Sequence, residues 1–161
     1  MDALEAIAKR RSIRAYSGET IPREDLIQIV NAGRLAASGM NTQPWDFIVV
    51  TERALIHQLK ITHDWIECAG AVIAVVMDPG SKYWVEDGSA AVQNMLVAIT
   101  ALGYGACWIE GFTSRNEETL KGRLKIPAER RLLTLIPVGV AAEAPHKEKK
   151  PLEEVLHWEQ F

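Results

Sequence analysis

Two cysteines in 161 residues, Cys68 and Cys107, with no CxxC pairing, are too few for a disulfide framework and wrongly spaced for a thiolate zinc site. Reduced, buried thiols in a cytoplasmic protein are the expectation. Basic charge is not in excess either: 18 lysines and arginines stand against 21 acids, a formal charge of −3. Nothing in that balance attracts nucleic acid or an anionic membrane, so any bound phosphate must meet a local basic cluster. Long hydrophobic runs are missing. The most apolar stretch, 89–102, is interrupted by Gln93, Asn94 and Thr100 and falls short of the roughly 18 apolar residues a spanning helix needs. The opening MDALEAIAKRR lacks the apolar stretch and small-residue cleavage site of a secretory signal. The four histidines show no HxxxH or HExxH spacing, and no serine, histidine and acid stand in a recognisable order. Motif order does not exclude a triad assembled in space, but none is written in the sequence. There is no internal repeat and no linker.

What is present is an ordinary globular composition, 48% hydrophobic and 24% charged, well away from the disordered regime. A chain of this size buries roughly 70% of its unfolded surface, so one domain over 1–161 is expected. Asp2 with Glu5 has the form of a capping box and opens a helix to about Lys9. A second helix starts near Pro22, with Glu24 and Asp25 at its positive end, and Ser38-Gly39 stops it. DFIVVT, 46–51, reads as a strand, 52–61 as a modest helix, and AVIAVVM, 71–77, as a fully buried strand. The segment 89–102 is apolar on almost every side and reads as a buried helix ended by Gly103-Tyr104-Gly105. A third strand is expected over 106–110, then a short helix opened by Ser114 with Glu117, then a fourth strand over 132–140. Pro137 inside that strand argues for an edge or a bulge. After Ala144 comes a charged extended stretch and a tail whose Leu152, Val155, Leu156, Trp158 and Phe161 need a surface to lie on. The pattern is an α+β domain with helices on a short sheet.

Four segments carry chemistry. Arg10-Arg11-Ser12-Ile13-Arg14 sets three guanidiniums and a hydroxyl at a helix end, and guanidinium forks match phosphate oxygens bidentately, although a basic run also complements the helix dipole. SGMNTQPWDF, 38–47, sets a hydroxyl and two carboxamides before a strand, and carboxamides can both donate and accept, as the edge of a heterocycle demands. Pro44 and Trp45 are explained by turn and packing alone; Asn41 and Gln43 are not. GYGACWIEGF, 103–112, ends with glycine at a strand exit, where a ligand can approach the backbone, whereas Gly103 and Gly105 read as helix caps. Lys147, Lys149 and Lys150 precede Pro151 as a basic cluster.

Together, RRSIRAY, SGMNTQPWDFIVV, WIEGF and the late lysines resemble the FMN-dependent nitroreductase family along essentially the whole chain and in the family's order. The resemblance implies a three-layer α-β-α sandwich with a mixed, mostly antiparallel sheet of four to five strands. It implies that Arg10, Arg11, Ser12 and Arg14 hold the FMN phosphate and ribityl chain, Arg14 being the one to approach the ring, with Lys147 and Lys149 closing on the phosphate. Ser38, Asn41 and Gln43 come from the partner of a homodimer, and Ile109, Glu110 and Gly111 lie at the flavin edge, the backbone of Glu110 and Gly111 facing N5. The segment 144–161 packs on the partner subunit. The activity implied is reduction of nitroaromatic, quinone or related acceptors by NAD(P)H in two half-reactions, with no catalytic side chain, since isoalloxazine itself accepts the hydride. Alternatives within the same resemblance are a flavin carrier or sensor, or other chemistry on this fold such as dehalogenation, azoline oxidation or flavin fragmentation. Similar proteins often carry a helical insertion over the flavin; here 78–87 reads as a short turn, with Tyr83 and Trp84 as a reduced cover.

Overall fold

The computed structural model describes residues 1–61, 63–109, 111–112 and 115–161. In chain order they form α1 (Ala3–Lys9), α2 (Arg23–Arg34), β1 (Trp45–Val50), α3 (Arg53–Leu59), β2 (Ala71–Met77), α4 (Trp84–Ala101), β3 (Gly105–Ala106), α5 (Glu117–Leu124) and β4 (Arg131–Gly139). One-turn 3-10 segments lie at Gly39–Asn41, Asp64–Cys68 and Leu152–Glu154. The strands form one antiparallel sheet in the order β1-β2-β4-β3, and Ser12 bridges Ala106 in parallel at its β3 edge.

The buried AVIAVVM run is the spine of this arrangement. Side chains alternate across a strand. Ala71, Ile73, Val75 and Met77 therefore meet α2 and α4 on one face, while Val72, Ala74 and Val76 meet α3, α5 and the 64–68 turn on the other. Covering both faces is why the run is continuously apolar. With α1 against α4, the result is the three-layer α-β-α sandwich with its mostly antiparallel sheet.

Register changes once. Val75 pairs with Thr134 but Val76 with Leu132, so Leu133 is an extra residue in β4. Such bulges re-aim a strand locally. The consequence lies at the strand exit, where a Cβ on Gly111 would stand 2.2 Å from the Leu133 carbonyl oxygen. Glycine at 111 is thus required by the sheet's own backbone, in addition to whatever approaches from outside.

Several boundaries differ from expectation. Pro137 sits in a central strand, paired with Val72, not at an edge. Its carbonyl accepts from the Cys107 amide at 3.3 Å, on the side where β3 has already ended, so the N–H that proline lacks faces a gap in the ladder. The third strand shrinks to Gly105–Ala106 with one further bridge from Ile109 to Leu135. Helix α4 begins at Trp84, five residues before the apolar run, because Glu86 and Asp87 suit its first turn and Gly88 only interrupts the hydrophobic pattern. A Cβ on Gly88 would lie 2.4 Å from Leu133 Cδ2, so this glycine lets the helix press on the sheet. Helix α2 ends at Arg34 rather than near Ser38. Helix α5 opens at Glu117 after Asn116; Ser114, like Glu110, lies outside the described residues. Of the two thiols Cys107 is buried, but Cys68 is exposed. Gly103 is the helix stop, at φ 89°, whereas Gly105 is a strand residue packed on Ile13.

Candidate functional site

The basic segment begins where α1 stops. Asp2 Oδ1 accepts from the Glu5 amide at 2.9 Å to start the helix, and Arg10 leaves it with extended backbone. The Arg11 guanidinium folds back to donate to the Ala8 and Arg10 carbonyls, each at 2.8 Å, covering the helix's negative end. Ile13 then donates to Ala106 O at 2.9 Å, and the Tyr16 hydroxyl lies 2.7 Å from the Ile13 carbonyl and 3.0 Å from that of Pro137. Burial pushes the Tyr16 phenol upward, so it stays a neutral donor.

The other end of the chain returns along this segment. Ser17 donates to Val140 O at 3.0 Å and Ala142 to Ala15 O at 2.9 Å, while Glu143 accepts from the Arg14 amide at 2.5 Å. That pairing carries Pro145, Lys147 and Lys149 over Arg10, Arg11, Ser12 and Arg14, and the seven residues line one cavity of about 100 Å³. This is roughly three times the ~30 Å³ share of a water molecule, the scale of a small oxyanion and not of a ring system. Among the described residues the guanidiniums of Arg10 and Arg14 and the ammonium groups of Lys147 and Lys149 make no ion pair or hydrogen bond. Four cations gathered in an acidic protein create a local positive potential that an anion would neutralise. Cys107 lies beside them; burial pushes its thiol up against the pull of Arg14, Ser12 and Arg10, so it is no ready thiolate.

The carboxamide turn is built differently. Met40, Asn41 and Gln43 all have positive φ, 53°, 58° and 49°, a conformation costing L-residues roughly 1–2 kcal/mol each, least for Asn. Ser38 Oγ accepts from the Gln43 amide at 3.1 Å, and Asp87 Oδ1 accepts from the Gly39 amide at 2.8 Å. Tyr83 packs so closely on Gly39 that a Cβ there would stand 2.4 Å from its ring. Gln43 lines a separate cavity of about 410 Å³ with Thr42, Asp46, Asp78 and Arg130, and Arg130 pairs with Asp46 at 3.0 Å. Within one chain, then, the turn and the basic cavity line different spaces. A groove of about 650 Å³ between α2 and β1 is lined by none of the sequence-predicted site residues.

The strand exit is braced by an ion pair between the buried Glu117 and the half-buried Arg131. Arg131 donates from Nε and Nη2 to the two Glu117 oxygens, both at 2.8 Å, and Leu132 N donates to Glu117 at 3.0 Å. Burial alone would push the Glu117 carboxyl up; the Arg131 fork and the Leu132 amide outweigh it and hold it below the usual glutamate range. The Arg131 guanidinium lies 5.6 Å from the Trp84 ring centre and 5.7 Å from that of Phe112, which meet edge to face at 5.1 Å. Ile109 is buried, and its carbonyl accepts from Thr134 Oγ1. Trp84 is therefore packed beneath the exit, while Tyr83, 40% exposed, remains at the surface.

Sequence reasoning missed Glu143, Asp87 and the Glu117–Arg131 pair, whose partners are distant along the chain. No helix among the described residues is long and apolar enough to cross a membrane, and no group of three or more His, Cys, Asp or Glu side chains among them could hold a metal.

The nitroreductase family profile matches residues 7–72 and 57–140. A protein of Methanothermobacter thermautotrophicus, provisionally named NADH dehydrogenase/NAD(P)H nitroreductase, is 35% identical over 90% of this chain and 80% of its own length. A provisionally named nitroreductase of Desulfovibrio desulfuricans, solved in complex with FMN, superposes with a TM-score of 0.86 at 34% identity over 100% of this chain and 98% of its own. The iodotyrosine deiodinase of Thermotoga neapolitana is 26% identical over 92% of both chains.

Proposed function

This chain belongs to the nitroreductase family, and from that premise we propose that it is an FMN-dependent oxidoreductase that reduces nitroaromatic, quinone or related organic acceptors with NAD(P)H. The observation that carries the reading is the convergence of Arg10, Ser12 and Arg14 with Lys147 and Lys149 on one small cavity of unpaired positive charge. The group this donor set fits is a phosphate monoester, and FMN ends in one; the Desulfovibrio relative is solved in complex with FMN.

In this reading Arg10 and Arg14 offer forked donors to the phosphate oxygens, Ser12 a hydroxyl, and Lys147 and Lys149 charge with less fixed geometry. Arg11 acts mainly on the helix end and adds positive potential. Ile109, Glu110 and Gly111 provide the backbone edge facing the ring, and Ser38, Asn41 and Gln43 of a second copy close the site from the other side. When bound, FMN would supply the redox chemistry, a hydride acceptor and electron donor that the chain's own side chains do not provide. The chain's own part is to anchor the phosphate, direct amide and carboxamide donors at the ring's polar edge, and limit water there.

The molecule is a homodimer in this reading, one domain over 1–161 whose segment 144–161 lies on its partner. Support comes from the surface: Leu152, Val155 and Trp158 are 67%, 57% and 77% exposed, Phe161 wholly so, and Leu4, Ile7 and Ile27 project from α1 and α2. A cytoplasmic location accords with two unpaired thiols.

The test is the visible spectrum of the purified protein and an anaerobic titration with NADH and NADPH, followed by nitroarene or quinone. A flavin spectrum bleached by either nucleotide and restored by the acceptor is expected; a protein that cannot be loaded with FMN refutes the reading. Reductive dehalogenation is the second reading, favoured by the likeness to the deiodinase. Halide release from a halotyrosine faster than nitroarene turnover would select it.

A further inference from the structure

We propose that Asp87 is a positioning residue for flavin, holding the Ser38–Gln43 turn in its strained shape from the first turn of α4. The inference rests on the reading that this turn closes the flavin site.

Asp87 is 5% exposed, and its Oδ1 accepts from the Gly39 amide at 2.8 Å. Among the described residues this buried carboxylate serves one backbone amide and its second oxygen has no partner, an expensive way to hold a loop. What that carboxylate does secure is specific. Three of the four residues from 40 to 43 hold left-handed backbone, two of them, Met40 and Gln43, of types that disfavour it. The turn's internal bonds, Gln43 N to Ser38 Oγ, Asn41 N to Ser38 O and Thr42 N to Gly39 O, close it on itself, and an exposed hydroxyl contact of 3.3 Å joins Thr42 to Ser81. Asp87 and the Tyr83 ring, both at the start of α4, fix it to the core. The same first turn presents Trp84 to Phe112 at the strand exit. One helix end thus braces both the turn, which in this reading closes the second copy's site, and the strand exit, which faces this copy's own, while the phosphate cavity is assembled elsewhere by the chain termini.

The division makes a distinctive prediction, because riboflavin has the ring of FMN without its phosphate. Asp87→Ala should weaken both FMN and riboflavin by a similar factor, about 10- to 100-fold for loss of a buried bond to a charged acceptor. It should also shift the visible bands of bound flavin. Asp87→Asn, which keeps an acceptor for Gly39, should restore both affinities to within about threefold. A paired Lys147→Ala, Lys149→Ala variant should weaken FMN and leave riboflavin unchanged. Should Asp87→Ala fail to fold, Asp87→Leu, of similar volume and without an acceptor, takes its place. Unchanged flavin affinities in the Ala or Leu variant overturn the proposal, as does an Asn variant as weak as Ala. A native protein that binds no flavin overturns the functional reading and this inference with it, an outcome distinct from either.

Discussion

The basic cavity and the carboxamide turn are built on two different physical principles. The cavity gathers charge: Arg10, Arg14, Lys147 and Lys149 converge on it with unremarkable backbone, through pairing of the two chain ends. The turn carries almost no charge, and its shape is imposed by positive φ angles, a buried aspartate and an aromatic ring. The strand exit at Gly111 follows the second pattern, held by a sheet bulge and the Glu117–Arg131 pair. Recognition by charge tolerates displacement of a side chain, because the field falls slowly with distance. Recognition by shape does not, because a close-packed brace has one arrangement.

The comparison breaks most readily on the packed side. Glu117→Ala leaves the half-buried Arg131 and the Leu132 amide uncompensated and should cost about 2–3 kcal/mol in urea unfolding. Gly111→Ala drives a Cβ into the Leu133 carbonyl and should cost about 1–3 kcal/mol with a loosened ring site. On the charged side, Arg14→Ala should leave the melting temperature nearly unchanged yet weaken FMN about 10- to 100-fold, the effect of losing a charged donor. That loss should shrink as salt is raised, read by fluorescence titration at two ionic strengths.

Acidity sharpens the same contrast. The Glu117 carboxyl titrates lower in the folded than in the unfolded chain, so its contribution is fully present above the unfolded value and lost as pH falls through the folded one. Unfolding free energy should therefore decline on acidification, and Glu117→Gln should flatten that limb. The smallest expected effect is Lys149→Arg, which supplies the missing fork and should tighten FMN a few-fold; unchanged or weaker binding would show that Lys149 acts only as a point charge.

Much of this was legible beforehand. AVIAVVM ran over the predicted residues because a strand buried on both faces writes itself as an unbroken apolar run. Asp2 announced α1, and RRSIR announced a cluster of basic groups. Misread were Pro137, whose tolerance depends on where β3 ends, and the start of α4, whose polar first turn resembles a loop. The tail's destination was proposed from its unclaimed leucines and aromatics, which remain exposed in the single chain.

By itself, then, the sequence determined which segments would be helix, strand and basic cluster, since periodicity, capping and charge are local properties that no distant contact need supply. Only the tertiary structure decided that Lys147 and Lys149 stand over Arg10 and Arg14, that Glu117 meets Arg131, and that Asp87 reaches back 48 residues to Gly39. Those pairings depend on strand order, a one-residue bulge and the packing of α4 on the sheet, each the outcome of close-packing the whole core and not of any single segment.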